Sequence, residues 1–167
     1  MQLETIDKAR YNKHVKITFF AICGFMLVVA LGTSAVLIHF WGGPEGDNFW
    51  LNALGVVIAA LALAQILSML RHHPFLYEVA YVRRVKGELN RIYRKQQKIK
   101  AAAEKGDPVA MTILDFSYRA SRQVYELDNN TLTLEELERA KRTLDEQREA
   151  FGVASLMDYS GDLLERF

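Results

Sequence analysis

His72 and His73 form the only adjacent histidine pair, the first residues whose type could hold a metal. Neighbours on a helix point about 100° apart, and no Cys, His or carboxylate stands at ligand spacing beside the pair, so no metal site is expected. His14 and His39 lie near the ends of an apolar run, far from the pair in sequence. Cys23 is the single cysteine and sits inside that run, which excludes an intrachain disulfide and a cysteine-based cluster and makes the thiol inert. Glu135 and Glu136 stand at a predicted helix start, where two carboxylates suit the dipole without catalysis. A phosphate loop, HExxH, CxxC and a nucleophile elbow are all missing, so neither catalytic residues nor a cofactor are predicted. What remains is anion chemistry: Arg83, Arg84, Lys86, Arg91, Arg94, Lys95, Lys98 and Lys100, with Tyr77, Tyr81 and Tyr93 interleaved. Such a set draws anionic lipid by about 1 kcal/mol per base near a membrane surface. An acidic protein surface is the second partner it suits. Nucleic acid is the weakest reading, because no recognisable binding module accompanies the bases.

The elements that must position this cluster begin with two apolar runs. Residues 17–40, ITFFAICGFMLVVALGTSAVLIHF, and residues 49–70, FWLNALGVVIAALALAQILSML, carry no Asp, Glu, Lys or Arg. At 1.5 Å per residue either one spans a hydrocarbon core of about 30 Å as a helix. Glu4 and Asp7 among the leading bases and the length of the first run speak for an anchor over a cleaved signal. Lys8, Arg10, Lys13 and Lys16 precede the first run, Arg71 and the basic cluster follow the second, and residues 41–48 hold no base. The positive-inside rule then places both termini in the cytoplasm and residues 41–48 outside, as a short turn through Gly42, Gly43, Pro44 and Gly46. Trp41, Phe49 and Trp50 become interface anchors.

Small residues let helix backbones approach where lipid supplies no hydrophobic drive. Ala53, Ala60, Ala64 and Ser68 share one face of the second run, and Gly55 with Ala59 form another small pair. One face is expected to receive the first run, through Gly24 or Gly32, leaving the other for a second copy. Gln65 is the amide deep enough for an interhelical hydrogen bond, worth roughly 1 kcal/mol.

Residues 71–105 read as a basic juxtamembrane helix entered through Pro74, with an apolar seam at Val82, Val85, Leu89, Ile92, Ile99 and Ala103 broken by Gln96. That seam also suits pairing with another copy as a short coiled coil. Gly106 stops it, and Asp107 with Pro108 opens the next helix, whose inward residues are Val109, Ile113, Phe116, Ala120, Val124 and Leu127. After a turn at Asp128, Asn129 and Asn130, a capping box of Thr133 and Glu136 starts a helix to about Phe151, with Leu134, Leu137, Ala140, Leu144 and Phe151 expected inward. Gly152 ends it, and the tail VASLMDYSGDLLERF exposes Leu156, Met157, Leu163, Leu164 and Phe167 unless it docks on the bundle.

The whole chain has formal net charge +1, but residues 71–100 sum to +7 and residues 101–167 to −6. The basic helix therefore has an acidic helical hairpin (106–167) as neighbour in its own chain. The fold class expected is all-α: a two-helix transmembrane hairpin followed by a cytoplasmic domain of about three helices.

ETIDKARYNKH, HPFLYEVAYVRRVKGELNRIYRKQ and GDPVAMTILDFSYRASRQ together resemble a gammaproteobacterial family of two-span inner-membrane proteins of unknown function. The resemblance covers nearly the whole chain and implies a bacterial inner membrane; it transfers no active site. AEKGDPVAMTILDFSY is also similar to the start of a Sel1-like repeat, though one copy lacks the neighbours such repeats pack against. The function expected is a membrane-anchored interaction or scaffold protein, homo-oligomeric, engaging another membrane or cytosolic protein. A small oligomeric channel or mechanosensitive pore is the alternative, and a membrane-tethered enzyme comes third.

Overall fold

The structure, a computed structural model, describes residues 1–43, 48–71, 73–130, 133–153 and 155–167. Residues 44–47 of the turn expected at 41–48, Pro44 and Gly46 among them, and His72 of the histidine pair lie outside the described residues. Among the described residues every regular element is helical: α1 (Lys8–Trp41), α2 (Phe49–Leu70), a 3-10 turn (Pro74–Leu76), α3 (Tyr77–Ala103), α4 (Pro108–Leu127), α5 (Leu134–Ala150) and a second 3-10 turn (Gly161–Arg166). They fall into two compact units, an apolar unit of Ala9–Ala80 and a polar unit of Met1–Lys8 with Tyr81–Phe167.

In the apolar unit α1 and α2 are both long and apolar enough to cross a membrane. α2 has the bounds its composition predicts, whereas α1 begins at Lys8, nine residues before the apolar run. The extension has a cause in packing. Arg10 and His14, one helical turn apart, both reach the buried Glu78 carboxylate, at 2.7 and 3.1 Å, and the His14 ring lies 4.1 Å from that of Phe75. These bonds, with the buried ring of Tyr11, reward helical geometry ahead of the apolar run.

The two helices meet through small residues. The Ser34 hydroxyl donates to the Asn52 carbonyl at 3.4 Å, and Gly55 and Ala59 are the buried residues of α2. A side chain at Gly55 would begin 2.9 Å from the Ser34 nitrogen and 3.1 Å from the Ala30 carbonyl oxygen. The receiving positions on α1 are thus Ala30 and Ser34. Gly24 and Gly32, expected in that role, have no described atom within 4 Å of where a side chain would start. The large side chains point outward: Phe20 is 70% exposed and Met69 75%. A soluble helix pair hides such residues, so this surface is the inverse of a water-facing one.

The polar unit is built around α4. The two turns from Val109 through Phe116 are buried on every side, well beyond the single apolar face that its spacing predicts. The tail supplies the extra cover. The Met157 amide donates to the Thr112 hydroxyl at 3.4 Å, and the Tyr159 ring stacks on Phe116 with centroids 3.9 Å apart. Tyr81, Ile92 and Ile99 of α3, Leu144 of α5 and Leu164 of the tail complete the core.

Helix ends follow their local chemistry. Asp107 Oδ1 accepts from the Val109 amide at 2.8 Å, as its N-cap role requires. Gly106 (φ +85) and Gly152 (φ +67) take the left-handed conformation that ends α3 and α5, and Asn129 (φ 58) does so after α4. At each, the following amide reaches back five residues: Asp107 to Ala102, Asn130 to Tyr125 and Val153 to Arg148. The capping box expected at α5 does not form. Thr133 occupies the N-cap, but its backbone is helical (φ −98, ψ −1), which turns the hydroxyl away from the orphan amides, and no side-chain cap bond is made.

Candidate functional site

α3, α4 and α5 leave between them an open groove of about 440 Å³. From α3 come Leu89, Asn90, Ile92, Tyr93, Gln96 and Lys100, among which Leu89, Tyr93, Gln96 and Lys100 follow one another at three- and four-residue steps along one side of the helix. α4 adds Ser117, Tyr118, Ser121 and Tyr125, and α5 adds Thr133, Glu136, Leu137 and Ala140. The groove exists because small side chains, Ser117, Ser121 and Ala140, stand where branched aliphatics would fill the space between helices. Tyrosines form the walls, and Tyr93 is 73% exposed.

The electrostatics are mixed. Lys100 and Glu136 bring opposite charges to the lining, and the rest is hydroxyl, amide and ring. Burial raises the pKa of the Tyr118 hydroxyl above the usual phenol value, so it stays a neutral donor and acceptor across physiological pH. No nucleophile is paired with a base in this lining, and no cluster of three or more His, Cys, Asp or Glu gathers among the described residues. An extended lining of aromatic faces with scattered neutral donors and acceptors suits non-covalent binding of a segment with both apolar and polar groups.

The basic residues of α3 take several places. Lys86 pairs with Asp128 at the end of α4 at 2.6 Å, and Arg91 with Glu88 at 3.0 Å. Lys95 and Lys98 donate to carbonyls of the tail, Leu164 at 2.7 Å and Phe167 at 2.8 Å. Lys100 lines the groove. Arg83, Arg84 and Arg94 are exposed and make no ion pair among the described residues. Arg83 and Arg94, three turns apart, share one face of α3.

On α2, Gly55 and Ala59 pack on α1 and Ala53 is half-buried, while Ala60, Ala64, Gln65 and Ser68 are exposed. Trp41, Phe49 and Trp50 are exposed at the facing ends of α1 and α2, with Phe49 and Trp50 in edge-to-face contact at 5.3 Å. Of the basic residues singled out in the sequence, the groove gathers only Lys100. Its other members carry a weaker signal: Gln96 breaks the apolar seam of α3, and Tyr118, Ser121 and Tyr125 recur at helical spacing beside the apolar face of α4.

The class these features define is an all-helical protein with two helices long and apolar enough to cross a membrane and a second helical unit that carries an open groove. The chain belongs to the family described as protein of unknown function (DUF3087), whose sequence model matches residues 1–164. No curated protein and no solved structure matches the chain.

Proposed function

We propose that this chain is a membrane-anchored interaction or scaffold protein. α1 and α2 form a transmembrane hairpin in a bacterial inner membrane, both termini are cytoplasmic, and the polar unit offers its groove to a segment of another protein. The outward-facing apolar surface of α1 and α2 supports the anchor, the absence of Lys and Arg from residues 41–48 supports the orientation, and the family resemblance supports a gammaproteobacterial source. The observation that carries the interaction reading is the groove, whose lining is suited to holding a segment and holds no reactive pair. A second copy would pack on the exposed Ala60, Ala64 and Ser68 face of α2, and Arg83, Arg84 and Arg94 would meet anionic headgroups.

The test is purification of the full chain in mild detergent after proximity crosslinking in cells, with native mass measurement. A recurrent partner lost in a Ser121→Trp variant, which fills the groove, is the expected result. A monomer with no recurrent partner, or a partner retained by Ser121→Trp, would overturn it.

A further inference from the structure

Where α1 and α2 touch through Ser34 and Gly55 they are close, but toward the start of α1 and the end of α2 they leave a crevice of about 320 Å³. Ile17, Ala21 and Phe25 form one wall, Leu63, Ile66 and Leu70 the other, and Phe75 and Leu76 close the end. A crevice this apolar and this size is in the range of sites that bury a small ligand. Two polar groups interrupt it. His73 lies in the lining, where its Nδ1 accepts the Phe75 amide at 3.2 Å. In the neutral ring the proton is then on Nε2, which is left to donate. The second is Thr18, also in the lining, whose buried hydroxyl has no hydrogen-bond partner among the described residues. Lys13 stands one helical turn before Ile17, and Arg71 directly follows Leu70. Both are exposed and make no ion pair among the described residues.

An apolar slot, an orphan hydroxyl and a ring N–H in its lining, and two uncommitted cations that neighbour lining residues along the chain match one ligand in order. We propose that the crevice holds one acyl chain of an anionic glycerophospholipid. The ester carbonyl accepts from Thr18, the phosphate accepts from His73 Nε2–H, and Lys13 and Arg71 set the preference for negative charge. The crevice belongs to the end of the helix pair that carries the bases, so the lipid is one of the cytoplasmic leaflet. This rests on the membrane reading above.

The experiment uses the full chain in detergent with equal amounts of phosphatidylglycerol and phosphatidylcholine of identical chains, read by native mass spectrometry, alongside flotation with vesicles of the same two lipids. One phosphatidylglycerol is expected to stay bound under activation that strips the phosphatidylcholine, with at least a fivefold preference. Ala21→Trp fills the slot and should abolish retention of either lipid. His73→Asn keeps a cap acceptor for the Phe75 amide but withdraws the ring N–H, and with Lys13→Gln should bring the preference near unity without loss of helix content. Leu31→Trp, outside the lining, should change neither. Equal retention of both lipids by the native chain, or undiminished retention by Ala21→Trp, overturns the lipid site while leaving the anchor standing. Failure of the chain to float with vesicles overturns both.

Discussion

The Tyr81 hydroxyl donates to Gln123 Oε1 at 3.1 Å, and the two side chains together grip the backbone of Glu4. The Glu4 amide donates to the Tyr81 oxygen at 2.8 Å, and Gln123 Nε2 donates to the Glu4 carbonyl at 2.6 Å. The leading segment is thereby held against α3 and α4 as part of the polar unit, and the Met1 amine extends the grip to the Tyr159 carbonyl. Tyr81 is 1% exposed, so Tyr81→Phe keeps the ring in the core and withdraws only the hydroxyl. The expected loss is about 1 kcal/mol. Hydrogen exchange should quicken at residues 2–6 and stay unchanged in the middle of α4; equal acceleration in both would mean a general loss of packing.

That clamp could not be read from the sequence, because it joins residues 4, 81 and 123 through a single backbone unit, and neither a periodic pattern nor a motif marks such a meeting. The helices themselves were legible. Phe49–Leu70 follows from an uninterrupted apolar run, and Asp107 with Pro108 marks the start of α4 through the chemistry of one helix turn. Local signals failed where a neighbour decides the outcome. Thr133 and Glu136 have the spacing of a capping box, yet the N-cap backbone is helical; Ala30 and Ser34, not the glycines of α1, receive α2. The groove was nearly invisible because it is defined by volume left unfilled at Ser117, Ser121 and Ala140, and absent volume leaves no pattern in any one helix.

Acid should loosen the start of α1. Glu78 is 5% exposed. Burial raises its pKa, but the backbone hydrogen bond, His14 and Arg10 together outweigh that and hold it below the usual 4.5. A carboxylate depressed in the folded state contributes stability that is complete above its unfolded value and is lost as pH falls through the folded one. Hydrogen exchange at residues 9–16, corrected for intrinsic rate, should therefore accelerate as pH is lowered from 5 toward the folded pKa. Glu78→Gln should exchange faster at pH 6 and lose most of this pH dependence. A wild-type profile that stays flat below pH 5 would contradict the argument.

One aromatic stack and one buried aliphatic side chain anchor the tail, and hydrogen bonds add to them. Tyr159 lies parallel to Phe116 and donates to Glu88 at 2.6 Å, and Leu164 is 1% exposed. Leu164→Ala should cost about 2–5 kcal/mol, the range for truncating a buried leucine. Because Lys95 and Lys98 bond tail carbonyls, the same change should free both ammonium groups. Limited proteolysis should then cut within residues 155–167 before any other site. Cleavage appearing first in α5 would show that the tail is not the part released.

Gly55 tests the helix contact in the apolar unit, because a side chain there would meet backbone atoms as well as the Ser34 hydroxyl. The Ser34 nitrogen at 2.9 Å and the Ala30 carbonyl oxygen at 3.1 Å cannot rotate aside as a long side chain can, so Gly55→Val must push α2 away from α1. Overpacking of this kind costs about 1–3 kcal/mol. The two methyl groups that Ala60→Val adds meet no such wall, since Ala60 is exposed, and should change the stability of a single chain by less than about 0.5 kcal/mol. Thermal unfolding of both variants in one detergent, followed by helical circular dichroism, separates the positions, and sedimentation adds the second readout. Gly55→Val should lower the midpoint without altering self-association, whereas Ala60→Val should weaken self-association with the midpoint of the dissociated chain intact. The reverse assignment would place the partner copy on the Gly55 face and the intrachain contact on the other.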